Sequence, residues 1–236
     1  MPTVIKGQPT SVEVLAKLKA EDRPVLLAFS CGKDSIAAWA AMEEAGIEVK
    51  PCYMWYVPNL RFVRDELDYF EGVFGKKIHY YPHPSFYRFI SRGILQAPEN
   101  LGIIEAAKVP EPTYEQVWTL IRMDLGLPED TWVADGVRAA DSIVRRASFV
   151  KHGVMKPATR KVSPIADWLK AEVYSAIERR GIELPIDYRI WGRSFDGLDH
   201  RFTGPMRRHL PEDYARLCEW FPLLPSVQER WEAYGV

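Results

Sequence analysis

The chain has 236 residues, 47% of them hydrophobic and 27% charged, with a formal net charge of -1. This balance excludes a disordered chain, gives global charge no pull on nucleic acid, and suits one domain with a substantial core plus a modest extension. The three cysteines, Cys31, Cys52 and Cys218, make neither a zinc spacing nor the four thiolates of an iron–sulfur cluster, so no zinc, no cluster and reduced cytoplasmic thiols are expected.

MPTVIKGQPT lacks the apolar centre of a signal peptide, and no apolar run is long enough to span a bilayer. The expectation is a soluble cytoplasmic protein without a membrane partner. Residues 11–20 read as a short helix and 25–29 as a buried strand. Residues 34–45 are alanine-rich with apolar residues at helical spacing, and Gly46 ends them. A second strand lies in VKPCYMWYVP, and a helix follows with Phe62, Leu67, Phe70 and Phe74 on one face. KKIHYYPHP is a third strand. Residues 85–127 are helical, punctuated by Pro98, Pro110 and Pro112. WVADGV is a fourth strand with a helix after it, RKVSPIADW holds a fifth, and WLKAEVYSAIERRG is an amphipathic helix ending at Gly181. The alternation predicts an α/β fold, a mainly parallel five-stranded sheet with helices on both faces. From Ile182 the periodicity is poor, which divides the chain into a 1–181 domain and a 182–236 irregular helical extension.

Between the first strand and its helix stands SCGKDS, residues 30–35. A helix N-terminus at the carboxyl end of a strand binds anions through free N–H groups and its dipole, and a glycine lets the backbone come close. The Walker spacing is absent, because Leu27 and Asp34 occupy its glycine and hydroxyl positions, and there is no GxGxxG. On spacing alone, a phosphate cradle and a plain capped turn are equal readings. Asp34 repels phosphate unless a divalent cation lies between them.

The FSCGKDS turn resembles the S-x-G-x-D-S loop of the PP-loop ATP pyrophosphatases, a superfamily that includes the phosphoadenylylsulfate (PAPS) reductases. DGVRAADSIVRR is similar to the G-x-R-x-x-[DE]-S…R stretch of the reductase branch, through Gly136, Arg138, Asp141, Ser142 and Arg146. VSPIADWLKAEVYSAIERRGI is similar to a third segment, through Pro164, Asp167, Trp168, Glu172 and Val173. The three fall in order over residues 24–185, and the tail resembles PAPS-reductase-like proteins of phages. This resemblance implies a Rossmann-like, doubly wound adenine nucleotide alpha-hydrolase fold. It implies ATP or PAPS held at its phosphates by Ser30, Gly32, Asp34 and Ser35, with Lys33 beside them and Gly136, Arg138 and Arg146 at the fourth strand. It also implies Mg²⁺ on Asp34 and Asp135, and adenine beside Tyr53 and Trp55. The implied reaction is adenylation of a second substrate with release of pyrophosphate, and Asp34, Lys33 and Arg138 are its catalytic candidates.

The reductases carry a cysteine in a C-terminal E-C-G-[IL]-H motif, whereas this chain ends PSVQERWEAYGV. Cys218 reads as a packing thiol. A sulfonucleotide enzyme with an external thiol and a non-catalytic nucleotide-binding subunit are the alternatives to adenylation. Asp135 suits a loop-capping carboxylate as well as a metal ligand, Asp141 suits a helix N-terminus, and Asp167 suits an N-cap of the helix after it. Arg145, Arg146, Lys151, Lys156, Arg160 and Lys161, and further on Arg201, Arg207 and Arg208, form basic stretches. They are either solvated charge or a rim for a polyanionic second substrate, a nucleotide or nucleic acid. A homo-oligomer is compatible with the sequence.

Overall fold

The computed structural model describes residues 3–235. Helix α1 (Ser11–Ala20) opens on a capping box, in which the Thr10 hydroxyl accepts the Glu13 N–H at 3.3 Å and the Glu13 carboxylate accepts the Thr10 N–H at 2.8 Å. The apolar run β1 (Val25–Phe29) leads into α2 (Lys33–Glu44), whose residues from Ser35 to Met42 are all buried. Alanine on most faces lets α2 be enclosed on all sides. Then come β2 (Val49–Trp55), α3 (Arg61–Phe74) and β3 (His79–Pro82). The long helical stretch consists of α4 (Pro84–Ser91), α5 (Pro98–Ala107) and α6 (Tyr114–Asp124), and the first two begin on prolines, which fit the first helical turn.

Next are β4 (Val133–Ala134), a 3-10 turn at Ala139–Asp141, α7 (Ile143–His152), β5 (Met155–Lys156), β6 (Lys161–Val162) and α8 (Lys170–Arg179). The segment after Ile182 forms α9 (Ile186–Ile190), α10 (His200–His209), α11 (Pro211–Trp220) and α12 (Leu224–Tyr234).

The sheet has six strands in the order β3-β2-β1-β4-β6-β5, not five. β1 pairs in parallel with β2 and β4, and β4 with β6, whereas β5 runs antiparallel to β6. The extra strand is the outer arm of a hairpin closed at Arg160, which takes a left-handed φ of 51°. Two residues are too few to show alternation, so β5 was invisible as a pattern. No helix among the described residues is long and apolar enough to cross a membrane.

The chain forms two compact units. The first comprises Met1–Tyr53, Val73–His79 and Trp118–Leu184, and the second comprises Met54–Gly72, Tyr80–Val117 and Pro185–Val236. In the first unit Trp39 is fully buried, stacked on Phe74 at 3.9 Å and edge-on to Phe29 at 5.1 Å, while α2 packs on α8. The second unit is built round an aromatic cluster in which Phe62, Trp191, Phe195 and Phe202 meet at centroid distances of 5.6 to 5.9 Å. That cluster, rather than a long amphipathic stripe, orders the short C-terminal helices.

Candidate phosphate site

In a sheet ordered 3-2-1-4, the connections reverse direction between β1 and β4, and ligands of open α/β sheets bind outside the strand carboxyl ends at that point. Two loops of the first unit emerge there, residues 30–32 after β1 and residues 135–138 after β4. In the first loop Cys31 adopts a left-handed φ of 56°. A non-glycine residue in that region costs about 1–2 kcal/mol, and such strain concentrates where backbone geometry serves a site. Gly32 is the N-cap of α2, with φ -77° and ψ 146°, and no side chain caps the helix there.

The two serines brace the turn from inside. Ser35 Oγ donates to the Gly32 carbonyl at 2.8 Å and accepts the Ser30 N–H at 3.3 Å, while Ser30 Oγ accepts the Gly32 N–H at 3.4 Å. Ser35 is buried, so in this arrangement its hydroxyl shapes the loop.

The second loop leans directly on the first. A Cβ placed on Gly136 would stand 2.6 Å from the Asp34 carbonyl carbon and 2.7 Å from the Ser35 nitrogen. Only glycine permits that approach. Two residues on, Arg138 is 5% exposed and lies between two carboxylates. Its Nη2 donates to Asp141 Oδ1 at 2.7 Å, and its Nε lies 2.9 Å from Asp34 Oδ1. The latter is a charge contact without the alignment of a hydrogen bond, which leaves both of its buried atoms short of a hydrogen-bond partner. Lys33 Nζ donates to Asp34 Oδ2 at 2.6 Å, and Arg145 Nη1 donates to Asp141 Oδ2 at 2.7 Å. Charges therefore alternate along Lys33, Asp34, Arg138, Asp141 and Arg145.

Asp135 accepts the Ser163 hydroxyl at 2.6 Å and the Val137 N–H at 3.1 Å, both on Oδ1. Burial pushes its carboxyl above the usual range, against the lowering effect of those two bonds. Ser163 was not singled out by sequence. The signal was available, since it is the first polar residue past the carboxyl end of β6, the edge on which such sites form.

No protein-family model matches the chain, and no curated protein matches it. Its fold is similar to a solved structure. That structure is an NH3-dependent NAD synthetase from Campylobacter jejuni subsp. jejuni in complex with the nitrate ion, 13% identical, covering 96% of this chain and 93% of that one with a TM-score of 0.46. No residue role is carried over from it.

Other sequence candidates lie elsewhere. Tyr53 is buried in β2. Trp55 packs edge-on to Phe86 at 4.9 Å, inside the second unit. Arg146 is exposed, with Nη2 donating to the Val4 carbonyl at 3.3 Å. The first basic stretch is partly matched by acids, since Arg160 Nη2 donates to Asp130 at 3.0 Å. In the second stretch Arg201 pairs with Asp199 at 2.8 Å and Arg207 approaches Glu232 at 3.8 Å.

Asp167 does not cap the helix after it, whose N-cap is Leu169. It reaches back instead to α1, where its Oδ2 accepts the Ser11 N–H at 3.0 Å, and Trp168 Nε1 donates to Ser11 Oγ at 3.0 Å. Cys218 is half-buried, and burial raises its thiol, the wrong direction for a nucleophile.

The contacts at Asp34 and Asp135 bear on the implied magnesium site. Asp34 is engaged by Lys33 and Arg138, and Asp135 by Ser163 and Val137. Among the described residues no group of three or more His, Cys, Asp or Glu side chains is placed to hold a metal ion. Magnesium keeps several waters and binds through one or two carboxylates together with substrate phosphates, so an ion here would rest on Asp34 or Asp135 and the nucleotide rather than on a protein-built cage.

Proposed function

We propose that this chain is a PP-loop enzyme, with similarity to the PAPS-reductase-like branch, that binds the phosphates of an adenine nucleotide at residues 30–35 and adenylates a second substrate. The observation that carries this reading is the meeting of two loops at the β1/β4 switch point, where Gly136 lies on the Asp34–Ser35 backbone beside a helix N-terminus without a side-chain cap. An anion there gains the N-terminal dipole of α2 beside Lys33. Arg138 is enclosed by Asp34 and Asp141, so its role is to fix Asp34 in place.

In the reaction, an oxygen of the second substrate bonds to the α-phosphorus as the bond from that phosphorus to the bridging oxygen breaks. The electron pair leaves with pyrophosphate. The chain's residues hold the nucleotide still and offset the charge that develops on the leaving group. With the Cys218 thiol raised, the sulfonucleotide alternative is one that uses an external thiol. Arg145, Arg146 and Lys151 on α7 support a phosphate-bearing second substrate, a nucleotide or nucleic acid.

The test is calorimetric titration with ATP and, in parallel, PAPS, with and without Mg²⁺, on the wild type and on Gly32→Asp. At φ -77° the backbone accepts an L residue, and an aspartate N-cap would occupy the α2 N-terminus with the protein's own carboxylate. The variant is expected to keep its melting temperature and to bind ATP at least about tenfold more weakly, a loss of ~1.4 kcal/mol. Preference for PAPS would select the sulfonucleotide alternative. If the wild type binds neither ligand, the loop is a plain strand-to-helix turn and the reading fails.

A further inference from the structure

We infer that Ser163 and Asp135 are positioning residues of this site, a clamp that holds the Gly136 turn against the phosphate loop, and that Asp135 acts there as an acceptor rather than through its charge. The inference rests on the nucleotide reading above only for what the loop binds. Two strand ends meet in the clamp. From β6, the Ser163 hydroxyl donates to Asp135 Oδ1 at 2.6 Å. From β4, the Asp135 N–H donates to the Val162 carbonyl at 3.0 Å, which fixes the position of its side chain. The same Oδ1 accepts the Val137 N–H at 3.1 Å, which closes the turn around Gly136.

The position of that turn leaves no slack. One Gly136 Cα hydrogen points at the peptide between Asp34 and Ser35, where an added carbon would overlap backbone. Arg138, one residue past Val137, then delivers its guanidinium to Asp34 and Asp141. A shift of the turn away from β6 would therefore move both the glycine contact and the arginine that orients Asp34. Ser163 is itself anchored, its N–H donating to the Val154 carbonyl at 2.9 Å and its carbonyl accepting the Ala166 N–H at 3.2 Å. The hydroxyl is thus presented from a segment fixed by its own backbone bonds.

Oδ1 takes two donors, a serine hydroxyl and a backbone amide, and a role as their acceptor differs from a role as charge, such as ligation of a cation through Oδ2. An amide in place of the carboxylate keeps an acceptor oxygen at the same position and removes the charge. The two roles therefore predict opposite results for Asp135→Asn.

The experiment uses the full chain with sodium pyrophosphate and ATP as probes, each with and without Mg²⁺, by calorimetry. Ser163→Ala is expected to weaken both by about tenfold, and Ser163→Thr, which keeps the hydroxyl, to restore affinity to within about threefold. Asp135→Asn is expected to stay within about threefold of wild type, with an unchanged Mg²⁺ dependence. Hydrogen exchange without ligand reads the clamp separately: Ser163→Ala should speed exchange at the Val137 amide and at residues 32–35, and Ser163→Thr should not. Wild-type affinity in Ser163→Ala overturns the proposal. So does unchanged exchange at Val137, or loss of Mg²⁺-dependent binding in Asp135→Asn. If the wild type binds neither probe while Ser163→Ala still loosens the turn, the nucleotide reading fails and the clamp stands.

Discussion

The two units bury titratable groups by opposite means. Around the loop of residues 30–35, the first unit keeps its charges and matches them: Arg138 lies between Asp34 and Asp141, and Lys33 and Arg145 close the two ends. The second unit removes charge by protonation state instead. Glu66 and Asp187 are buried, each with one oxygen that no donor reaches, and burial plus the neighbouring carboxylate drives Glu66 far above the usual range. Asp187 Oδ2 accepts the Phe195 N–H at 2.7 Å, which favours its charged form, so the shared proton belongs on Glu66. His83 follows the same rule, pushed down to about 4 chiefly by burial and further by Arg88. Its Nδ1 accepts the Ser85 N–H at 3.0 Å, so the neutral ring carries its proton on Nε2 and donates it to Tyr114 Oη at 2.7 Å. A matched network is sensitive to the loss of a partner, whereas a neutralised one is sensitive to pH.

The largest expected effect follows from the first half of that contrast. Arg138→Ala would leave two carboxylates without the cation between them, one of them with a buried oxygen that has no other partner. Breaking a buried ion pair from one side costs about 3–5 kcal/mol. Urea unfolding should show that loss as a lower midpoint at unchanged slope, and Arg138→Lys, which keeps the charge without the fork, should lose less. A destabilisation below about 1 kcal/mol would mean that the network is solvated and that Arg138 is an ordinary surface arginine.

The second unit should respond to pH. Glu66 is protonated in the fold and ionised in the unfolded chain at neutral pH, so folding takes up a proton and stability falls as pH rises above the unfolded carboxyl value. One proton corresponds to about 1.4 kcal/mol per pH unit. Both proteins carry His83, so the difference between their curves reports the carboxyl pair, and between pH 7 and 8.5 the wild type should lose about 2 kcal/mol relative to Glu66→Gln. Parallel curves for the two proteins would place the proton elsewhere. Gly136→Ala ranks next, because its Cβ would meet backbone that cannot rotate away, an overpacking cost on the order of 1–2 kcal/mol. Phosphate binding should fall with it, whereas Gly75→Ala, which meets nothing within 4 Å, should be costly only through its left-handed φ of 62°.

What the sequence revealed in advance is what neighbouring residues decide. Val25–Phe29, the alanine-rich helix after it and the turn between them are visible because burial leaves a periodic trace over consecutive positions. The motif residues Gly136 and Arg138 were legible as belonging near that turn, but their form of contact was not. Spacing cannot show that Arg138 points at Asp34 rather than at solvent, nor that Ser35 braces the Gly32 carbonyl. Asp167 shows the limit most clearly. An aspartate before a helical run has the look of an N-cap, yet its carboxylate serves Ser11, 156 residues earlier in the chain. A two-residue strand such as β5, and the Glu66–Asp187 pair, depend entirely on partners distant in sequence.

The smallest effect tests that difference between local and distant partners on one helix. Both kinds of contact converge on the N-terminus of α1, where Thr10 and Glu13 form an exposed capping box and Asp167 takes the Ser11 amide from a buried position. Thr10→Ala removes a cap that solvent can partly replace and should cost about 1 kcal/mol. Asp167→Ala strips the acceptor from a buried amide and should cost more, about 1–3 kcal/mol. If Thr10→Ala is the more damaging of the two, the α1 N-terminus is held by its own sequence, and the clasp from the segment before α8 contributes packing rather than a hydrogen bond.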